Sequence, residues 1–316
     1  MVTHKELGKS GLKIGPLVFG GNVFNWTADE ATSLSLLDAF IASGLNMVDS
    51  ADVYSSWVPG HKGGESEDLI GKWLARGGQR DKLIIATKCG MEMGPGAKGL
   101  SRAHITHSVD ASLKRLGTDY IDLYQAHMDD RDTPLEETLS TYTDLIKAGK
   151  IRAIGASNYS AERLTEALQI ANAKGLARYE SLQPNYNLYD RADYELSLEP
   201  TCVTNGLGVI PYFALAAGFL TGKYRSKADL ADSQRGGMVK SKLDDRGMKI
   251  LDALDQVAAD LDATPAQVAL AWLMARQSIT APIVSATSLE QWADIEKSID
   301  LNLTADTVSM LANASA

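Results

Sequence analysis

Short apolar segments alternate with longer amphipathic segments along the whole chain. The short segments are rich in branched residues and are continuously apolar, as is typical of parallel strands that are buried on both faces. They read PLVFGG, LNMVDS, LIIATK, YIDLYQAH, IRAIGASN, ESLQPNY, GVIPYF and APIVSA. Eight such strands, each followed by a helical segment, predict an α/β fold of the (β/α)8 TIM-barrel type rather than an open doubly wound sheet.

Several of the helical segments have recognisable ends. Thr27 and Glu30 match a capping box that would begin a helix reaching to about Ser43. Ser101 is the predicted N-cap of a helix that stops at Gly117. These signals place the helices between the strands, as a barrel requires.

The two ends of the chain add elements to the eight units. The segment KELGKSGLKIGP predicts a short β-hairpin that closes the bottom of the barrel, and LDDRGMKILDALDQVAADLDA predicts an additional helix before TPAQVALAWLMARQ. Residues 223–245 have the least pattern and predict a long, mobile, charged loop. No shift in composition marks a domain boundary, so residues 1–316 are predicted to form one barrel domain.

Composition narrows the possible partners. The 316 residues are 45% hydrophobic and 22% charged, which is ordinary for a soluble globular protein. The net charge of −9 disfavours nucleic acid or an anionic membrane as the main partner. Cys89 and Cys202 match neither a metal motif nor a disulfide framework. Without a signal sequence or an apolar run of about 18 residues, a cytoplasmic protein is expected, and the sequence indicates no oligomeric state.

Polar residues follow three neighbouring predicted strands. Asp49 ends the second strand and Tyr54 lies in the loop after it, Lys88 ends the third strand, and His127 ends the fourth. Singly, each has a structural interpretation as a cap, a solvated charge or a packing residue. Since the carboxyl ends of barrel strands meet at one rim, the four side chains are together predicted to form a catalytic site.

The chemistry of this set is coherent. A phenol with a usual pKa of about 10 holds its proton at neutral pH, and a nearby ammonium is expected to lower that pKa. Asp49 would hold Lys88 in its charged form, and His127 would orient a substrate oxygen. Such a site can protonate a carbonyl oxygen while a hydride reaches the carbon. No side chain supplies a hydride, so a nicotinamide cofactor is implied.

The chain resembles the aldo-keto reductases in the motifs DSADVY, ATKCG, QAHMDD, IGASNYS, QPNYNLYDR and GFLTGKY, which occur in order from one end to the other. The resemblance implies a (β/α)8 barrel that binds extended NADPH, and it assigns the catalytic roles to Asp49, Tyr54, Lys88 and His127. Consistently, no G-x-G-x-x-G motif follows a predicted strand. It also implies an NAD(P)-dependent enzyme that reduces aldehydes or ketones, sugars among them, to alcohols.

The same resemblance implies the residues that bind the cofactor. Nicotinamide contacts are expected from Ser157, Asn158, Gln183 and Tyr212, and a strap over the pyrophosphate from Phe213, Leu215, Ala217, Gly218, Leu220, Gly222 and Lys223. Phe213 begins a segment that departs from the Ser-Pro-Leu of many members. The adenosine end is expected at Ser285, Thr287, Ser288 and Gln291.

Residues 285–291 hold no Arg or Lys for the 2′-phosphate of NADPH, so NADH is the alternative cofactor. Arg225, Arg235 or Arg246 could instead supply that cation from the charged loop. The expected substrate pocket comprises Asn22, Phe24, Trp26 and Trp57 beside Tyr54 and His127, with Met91 and Met128 as further candidates.

Two other functions stay open at this point. Some barrels of the family are redox-sensing regulatory subunits that bind cofactor with little turnover, although the intact set of four residues favours an enzyme. A lyase or isomerase would need a phosphate or metal site, and the sequence shows none.

Overall fold

A sheet of parallel strands forms the centre of the molecule. We describe it from a computed structural model that covers residues 2–230 and 236–316. The strands are β1 (Lys5–Glu6), β2 (Lys13–Ile14), β3 (Val18–Gly20), β4 (Met47–Asp49), β5 (Ile84–Cys89), β6 (Ile121–Ala126), β7 (Ile151–Ser157), β8 (Tyr179–Gln183), β9 (Gly208–Val209) and β10 (Ile283–Val284). Strands β3 to β10 form one parallel sheet in which β10 pairs with β3.

Backbone hydrogen bonds close this sheet into a barrel. The N–H groups of Thr280 and Ile283 donate to the carbonyls of Val209 and Pro211, both at 2.9 Å. These bonds bridge the two ends of the strand order, β9 and β10. The predicted (β/α)8 barrel is therefore confirmed.

The N-terminal hairpin of β1 and β2 closes the bottom of the barrel, as the sequence predicts. Leu7, Leu12 and Ile14 are buried in a cluster with the apolar residues of the barrel interior. Gly8 allows this close approach, because it has a φ of 59° and a Cβ there would lie 2.1 Å from the Glu180 carbonyl oxygen. The hairpin therefore leaves only the opposite end of the barrel open.

Helices surround the barrel and bury their apolar faces against it. They are α1 (Glu30–Ala42), α2 (Glu65–Ala75), α3 (Arg102–Leu116), α4 (Leu135–Lys147), α5 (Ala161–Lys174), α6 (Glu199–Asn205), α7 (Gly236–Val239), α8 (Asp245–Asp260), α9 (Pro265–Ala275), α10 (Leu289–Glu296) and α11 (Ala305–Ala314). Helices α8 and α9 confirm the additional helix predicted before the last strand.

The helix ends agree with the sequence in one case and differ in another. Ser101 caps α3 and Gly117 ends it in the left-handed conformation, as predicted. Helix α1, however, is capped by Asp29, whose carboxylate accepts from the Thr32 N–H, and the predicted cap at Thr27 is wrong. Asp29 directly precedes the first helical residue, and from there its carboxylate reaches the free N–H groups of the first turn.

The described part of the segment 223–245 is more structured than a long loop. The described part forms a 3-10 turn at Lys227–Leu230, helix α7 and a second turn at Lys240–Lys242. The carboxylate of Asp229 holds the first turn by accepting from the N–H groups of Arg225 and Ser226. Arg235 lies outside the described residues.

Candidate active site

The four predicted catalytic side chains meet at the open end of the barrel. Lys88 Nζ lies 2.7 Å from Asp49 Oδ2 and 2.9 Å from the Tyr54 hydroxyl. Tyr54 Oη lies 3.3 Å from the same carboxylate oxygen. The rings of Tyr54 and His127 are 6.0 Å apart between centroids. Neighbouring strands thus bring together a phenol, an ammonium, a carboxylate and an imidazole.

Tyr54 stays protonated at neutral pH. Burial raises the pKa of the phenol well above its usual value, and the charge of Asp49 raises it further. The net shift of this pKa is therefore upward, opposite to the lowering expected from Lys88 alone. Asp49 lies close to both Tyr54 and Lys88, so its negative charge offsets the effect of the ammonium on the phenol. The cost of burying a phenolate then sets the direction of the pKa shift.

Lys88 is fully buried, and burial lowers the pKa of its ammonium against the opposing effect of Asp49. Its Nζ also donates to the Ser50 carbonyl at 2.7 Å. Three short contacts fix the ammonium directly beside the phenol oxygen. A positive charge in that position stabilises the phenolate that forms when Tyr54 gives up its proton.

His127 carries a neutral imidazole. Burial lowers the pKa of His127 well below its usual value, and the positive charge of Lys88 lowers it further. Its Nδ1 has no hydrogen-bond partner in the described part of the chain. A neutral ring can donate one hydrogen bond to a substrate oxygen without adding a second charge to the site.

Gln125 belongs to the site although sequence reasoning missed it. Its amide donates to Asp49 Oδ1 at 3.1 Å, and Gln183 donates to the same atom at 2.8 Å. Gln125 lies two residues before His127 in the same strand region. Because alternate residues of a strand share a face, this spacing could have identified it as an inward-facing residue.

A cavity of about 920 Å³ opens from Tyr54 and His127 and continues to α10. It is large enough for a dinucleotide together with a small substrate. Most of the predicted site residues line it, namely Asn22, Asp49, Tyr54, Trp57, Met91, His127, Ser157, Asn158, Gln183, Tyr212, Phe213, Leu215, Ala217, Gly218, Lys223, Ser285, Thr287 and Gln291.

The four residues expected around the nicotinamide contact one another. The Tyr212 hydroxyl donates to Asn158 Oδ1 at 2.8 Å, and the Asn158 amide lies 3.2 Å from the Ser157 hydroxyl. Ser157 in turn donates to the Gln183 carbonyl at 2.9 Å. These bonds fix a half-buried aromatic ring and three amide or hydroxyl groups on one wall of the cavity.

The strap segment has an unusual backbone. Phe213, Ala216 and Ala217 have φ values of 53°, 49° and 58°, a left-handed conformation that costs a non-glycine residue roughly 1–2 kcal/mol. The Asn187 amide donates to the Phe213 carbonyl at 3.0 Å and helps to hold this shape. Such strain concentrates at ligand-binding segments.

The strap also offers a suitable place for a pyrophosphate. Gly218 lines the cavity, and the Lys223 ammonium lies 3.9 Å from where a Cβ of Gly218 would be. Bare backbone beside a lysine suits a phosphate oxygen. The donor set of the strap therefore fits the phosphate chain of a dinucleotide.

Some predicted residues do not line the cavity in the described part of the chain. Leu220 is fully buried in the core, and Gly222 packs beside Arg225. The Ser288 hydroxyl caps α10 by accepting from the Gln291 N–H. The predicted contacts of Leu220, Gly222 and Ser288 with the cofactor stay predictions.

The residues predicted for the substrate pocket separate into two groups. Asn22, Trp57 and Met91 line the cavity near Tyr54. Phe24 is fully buried and stacks on Phe19 at 5.4 Å, so its predicted contact with substrate is corrected to a core position. Phe24 lies just after a tight turn that directs its ring inward.

Trp26 and Met128 lie outside the lining of the cavity. The ring of Trp26 packs edge-on against Trp57 with centroids 5.4 Å apart. Met128 is 44% exposed. Trp26 thus supports the rim formed by Trp57 rather than the cavity wall.

A barrel with this cavity and this set of four residues is typical of an oxidoreductase, and sequence comparison agrees. The profile of the Aldo/keto reductase family matches residues 16–316. The chain belongs to the Aldo/keto reductase family.

Individual relatives differ in what their names state. The chain is 33% identical to the uncharacterized oxidoreductase YrpG of Bacillus subtilis, over 98% of this chain and 94% of that protein. It is 34% identical to a probable voltage-gated potassium channel subunit beta of Arabidopsis thaliana, over 94% and 91%. It is 32% identical to L-glyceraldehyde 3-phosphate reductase of Escherichia coli O157:H7, over 96% and 89%.

No helix within residues 2–230 and 236–316 is long and apolar enough to cross a membrane. The same residues contain no group of three or more His, Cys, Asp or Glu side chains arranged to hold a metal ion.

Proposed function

We propose that this protein is an NAD(P)H-dependent reductase that converts aldehydes or ketones to alcohols. The observation that carries this proposal is the contact of the Tyr54 hydroxyl with Lys88 Nζ at 2.9 Å, at the floor of the cavity. A protonated phenol beside a buried ammonium is a general acid for a carbonyl oxygen.

The residues of this chain fit each part of that reaction. A bound reduced nicotinamide supplies the hydride. Tyr54 gives its proton to the substrate oxygen, Lys88 stabilises the phenolate that results, and Asp49 holds Lys88. His127 donates a hydrogen bond that orients the substrate oxygen. Tyr212 with Ser157, Asn158 and Gln183 would hold the nicotinamide ring.

The lining of the substrate end supports small neutral carbonyl compounds. Trp57 and Met91 provide apolar surface, and Asn22 provides an amide. An apolar wall with few polar groups is common in small-molecule sites. Aromatic faces such as that of Trp57 also stack on sugars, so aldoses belong in the substrate panel.

A regulatory role is the second candidate, because a relative at 34% identity is named as a potassium channel subunit beta. Such a protein would bind cofactor with little turnover. The complete set of four catalytic side chains favours the enzyme.

Steady-state oxidation of NADH and of NADPH, with a panel of aromatic, aliphatic and sugar aldehydes, separates the two candidates. The enzyme hypothesis expects turnover that Tyr54→Phe abolishes. Cofactor binding without turnover of any substrate would support the regulatory role, and failure to bind either cofactor would contradict both.

A further inference from the structure

The hydrogen-bond donors near the start of α10 are already used within the chain. The Thr287 N–H and hydroxyl both donate to Gln291 Oε1, at 2.9 and 3.0 Å. The Ser285 hydroxyl lies 2.7 Å from the Gly20 carbonyl oxygen and 2.8 Å from Asn22 Oδ1. A phosphate at this end of the cavity would have to displace these internal acceptors.

Two carboxylates lie in the same region. Hydrogen bonds from its own N–H and from Ser288 lower the pKa of Glu290, which is therefore an anion at the helix start. Asp294 lines the cavity, and its carboxylate is held in place by Gln267 at 2.7 Å and Thr264 at 3.1 Å. Asp294 thus places a negative charge in the lining of the cavity, where a 2′-phosphate would require a positive charge.

Cations that could offset this charge are engaged elsewhere. Lys223 is the only Lys or Arg that lines the cavity within residues 2–230 and 236–316, and it lies at the strap. Arg225 forms an ion pair with Asp255 at 2.7 Å.

Arg246 is also held away from the cavity. Its guanidinium donates to the Ser315 carbonyl at 2.7 Å and packs over the ring of Tyr189. Of the three loop arginines that could supply a cation, only Arg235 lies outside the described residues.

We infer that this chain selects NADH over NADPH, and that Asp294 is a residue that determines this specificity. The inference rests on the proposed function, since it names the cofactor of the same cavity. A 2′-phosphate brings about 1.5–2 negative charges, which the carboxylate of Asp294 repels and the engaged donors of Thr287 and Ser285 do not solvate. The ribose hydroxyls of NADH are neutral donors and suit an acidic neighbour.

Quenching of tryptophan fluorescence gives dissociation constants for NADH and NADPH without any turnover. The wild-type protein is expected to bind NADH at least about ten-fold more tightly than NADPH, a ratio equivalent to about 1.4 kcal/mol. Asp294→Asn keeps the shape of the side chain and is expected to reduce that ratio several-fold. Thr287→Arg is expected to reverse the preference by supplying a guanidinium.

Asp119→Asn is the matched control, because Asp119 is exposed and lies outside the cavity lining. It is expected to leave the ratio unchanged. If Asp294→Asn does not fold, Thr287→Arg and the wild-type ratio still test the inference.

The outcomes separate this inference from the proposed function. Tighter binding of NADPH by the wild type would overturn the inference and leave the reductase intact. A preference for NADPH that Arg235→Ala removes would assign the phosphate to that arginine instead. Absence of binding by either cofactor would contradict the proposed function itself.

Discussion

Two buried ionic clusters lie on opposite sides of the barrel wall at β4 and β5. The inner cluster contains Asp49 and Lys88, one acid and one base. Both carboxylate oxygens of Asp49 are hydrogen-bonded, Oδ2 to Lys88 and Oδ1 to the amides of Gln125 and Gln183. Charge and hydrogen bonding are therefore both balanced on the side that faces the cavity.

The outer cluster contains Asp52, Glu67 and Arg115, two acids and one base. Glu67 is fully buried and takes the guanidinium of Arg115 at 2.6 Å and the Thr87 hydroxyl at 2.5 Å. Asp52 Oδ1 has no hydrogen-bond partner among the described residues. Burial, with a smaller contribution from Glu67, raises the pKa of Asp52 to about 7.

The difference shows that the partners of an aspartate decide its role more than its burial does. Asp49 and Asp52 are three residues apart and both are nearly inaccessible to solvent. Asp49 has an ammonium of its own and holds it in the active site. Asp52 forms no ion pair within the described residues, so burial raises the pKa of its carboxyl to about 7 and it takes up a proton near neutral pH.

The largest effect on activity is expected from removing Tyr54, the proposed general acid, which contacts the inner cluster. Tyr54→Phe should lower kcat by at least about 10²-fold, because general acid catalysis contributes roughly 10²–10⁴-fold. Cofactor affinity should change little, since its contacts come from other strands. Steady-state kinetics and a cofactor titration measure the two quantities.

Tyr120→Phe is the matched control, because Tyr120 lies just before β6 and does not line the cavity. It should leave kcat unchanged. A Tyr54→Phe protein that keeps more than about a tenth of the wild-type kcat would exclude Tyr54 as the acid.

The second prediction compares the losses of kcat that follow from changing Lys88 and Asp49, the two residues of the inner cluster. Lys88→Met should lower kcat about as much as Tyr54→Phe, because Lys88 touches the phenol directly. Asp49→Asn should be milder, since Asp49 acts mainly through Lys88. Both variants need circular dichroism to show that they are folded, because breaking a buried ion pair costs roughly 3–5 kcal/mol. A larger loss of kcat in folded Asp49→Asn would contradict this order.

Sequence and structure agree best where regular strands set the geometry. Asp49, Lys88 and His127 lie at or next to the carboxyl ends of adjacent parallel strands, so their convergence follows from the barrel alone. The outer cluster could not be predicted, because Glu67 and Arg115 come from two helices whose rotation about their axes depends on packing. The backbone shape of the strap could not be predicted either, because a left-handed φ is not expected of residue types such as Phe213 and Ala217.

Residues 285–291, where the adenosine end of the cofactor is expected, illustrate a further limit of prediction from sequence. The sequence correctly shows that residues 285–291 contain no cation. It does not show that Thr287 gives both of its donors to Gln291, because Ser, Thr and Gln side chains compete for local partners. Local sequence patterns do not predict tertiary contacts such as that of Asp294 with Gln267.

The outer cluster predicts how stability changes with pH. The folded protein binds the Asp52 proton up to about pH 7, whereas an unfolded chain releases it near a pKa of about 3.9. Between these values the folded state holds more protons, so this carboxyl lowers the free energy of unfolding as pH rises, by up to about 1.4 kcal/mol per unit. The effect is complete above about pH 7.

Asp52→Asn should therefore stabilise the protein relative to the wild type more at pH 8 than at pH 5. Urea unfolding at both pH values measures this difference, and Asp119→Asn is the control at an exposed site. An equal difference between wild type and Asp52→Asn at the two pH values would show that Asp52 is ionised throughout.

The smallest expected effect tests whether the two clusters interact through the barrel wall. The charges of Asp52 and Glu67 both raise the pKa of Lys88, although less than Asp49 does, and burial lowers it. Asp52→Asn removes one of these charges at alkaline pH, so the ammonium of Lys88 should be lost at a lower pH. The alkaline limb of kcat/KM should move down by less than about one pH unit, with kcat at pH 7 nearly unchanged. Glu67→Gln should move it in the same direction. An alkaline limb that stays in place in both variants would show that the inner cluster is electrostatically independent of the outer one.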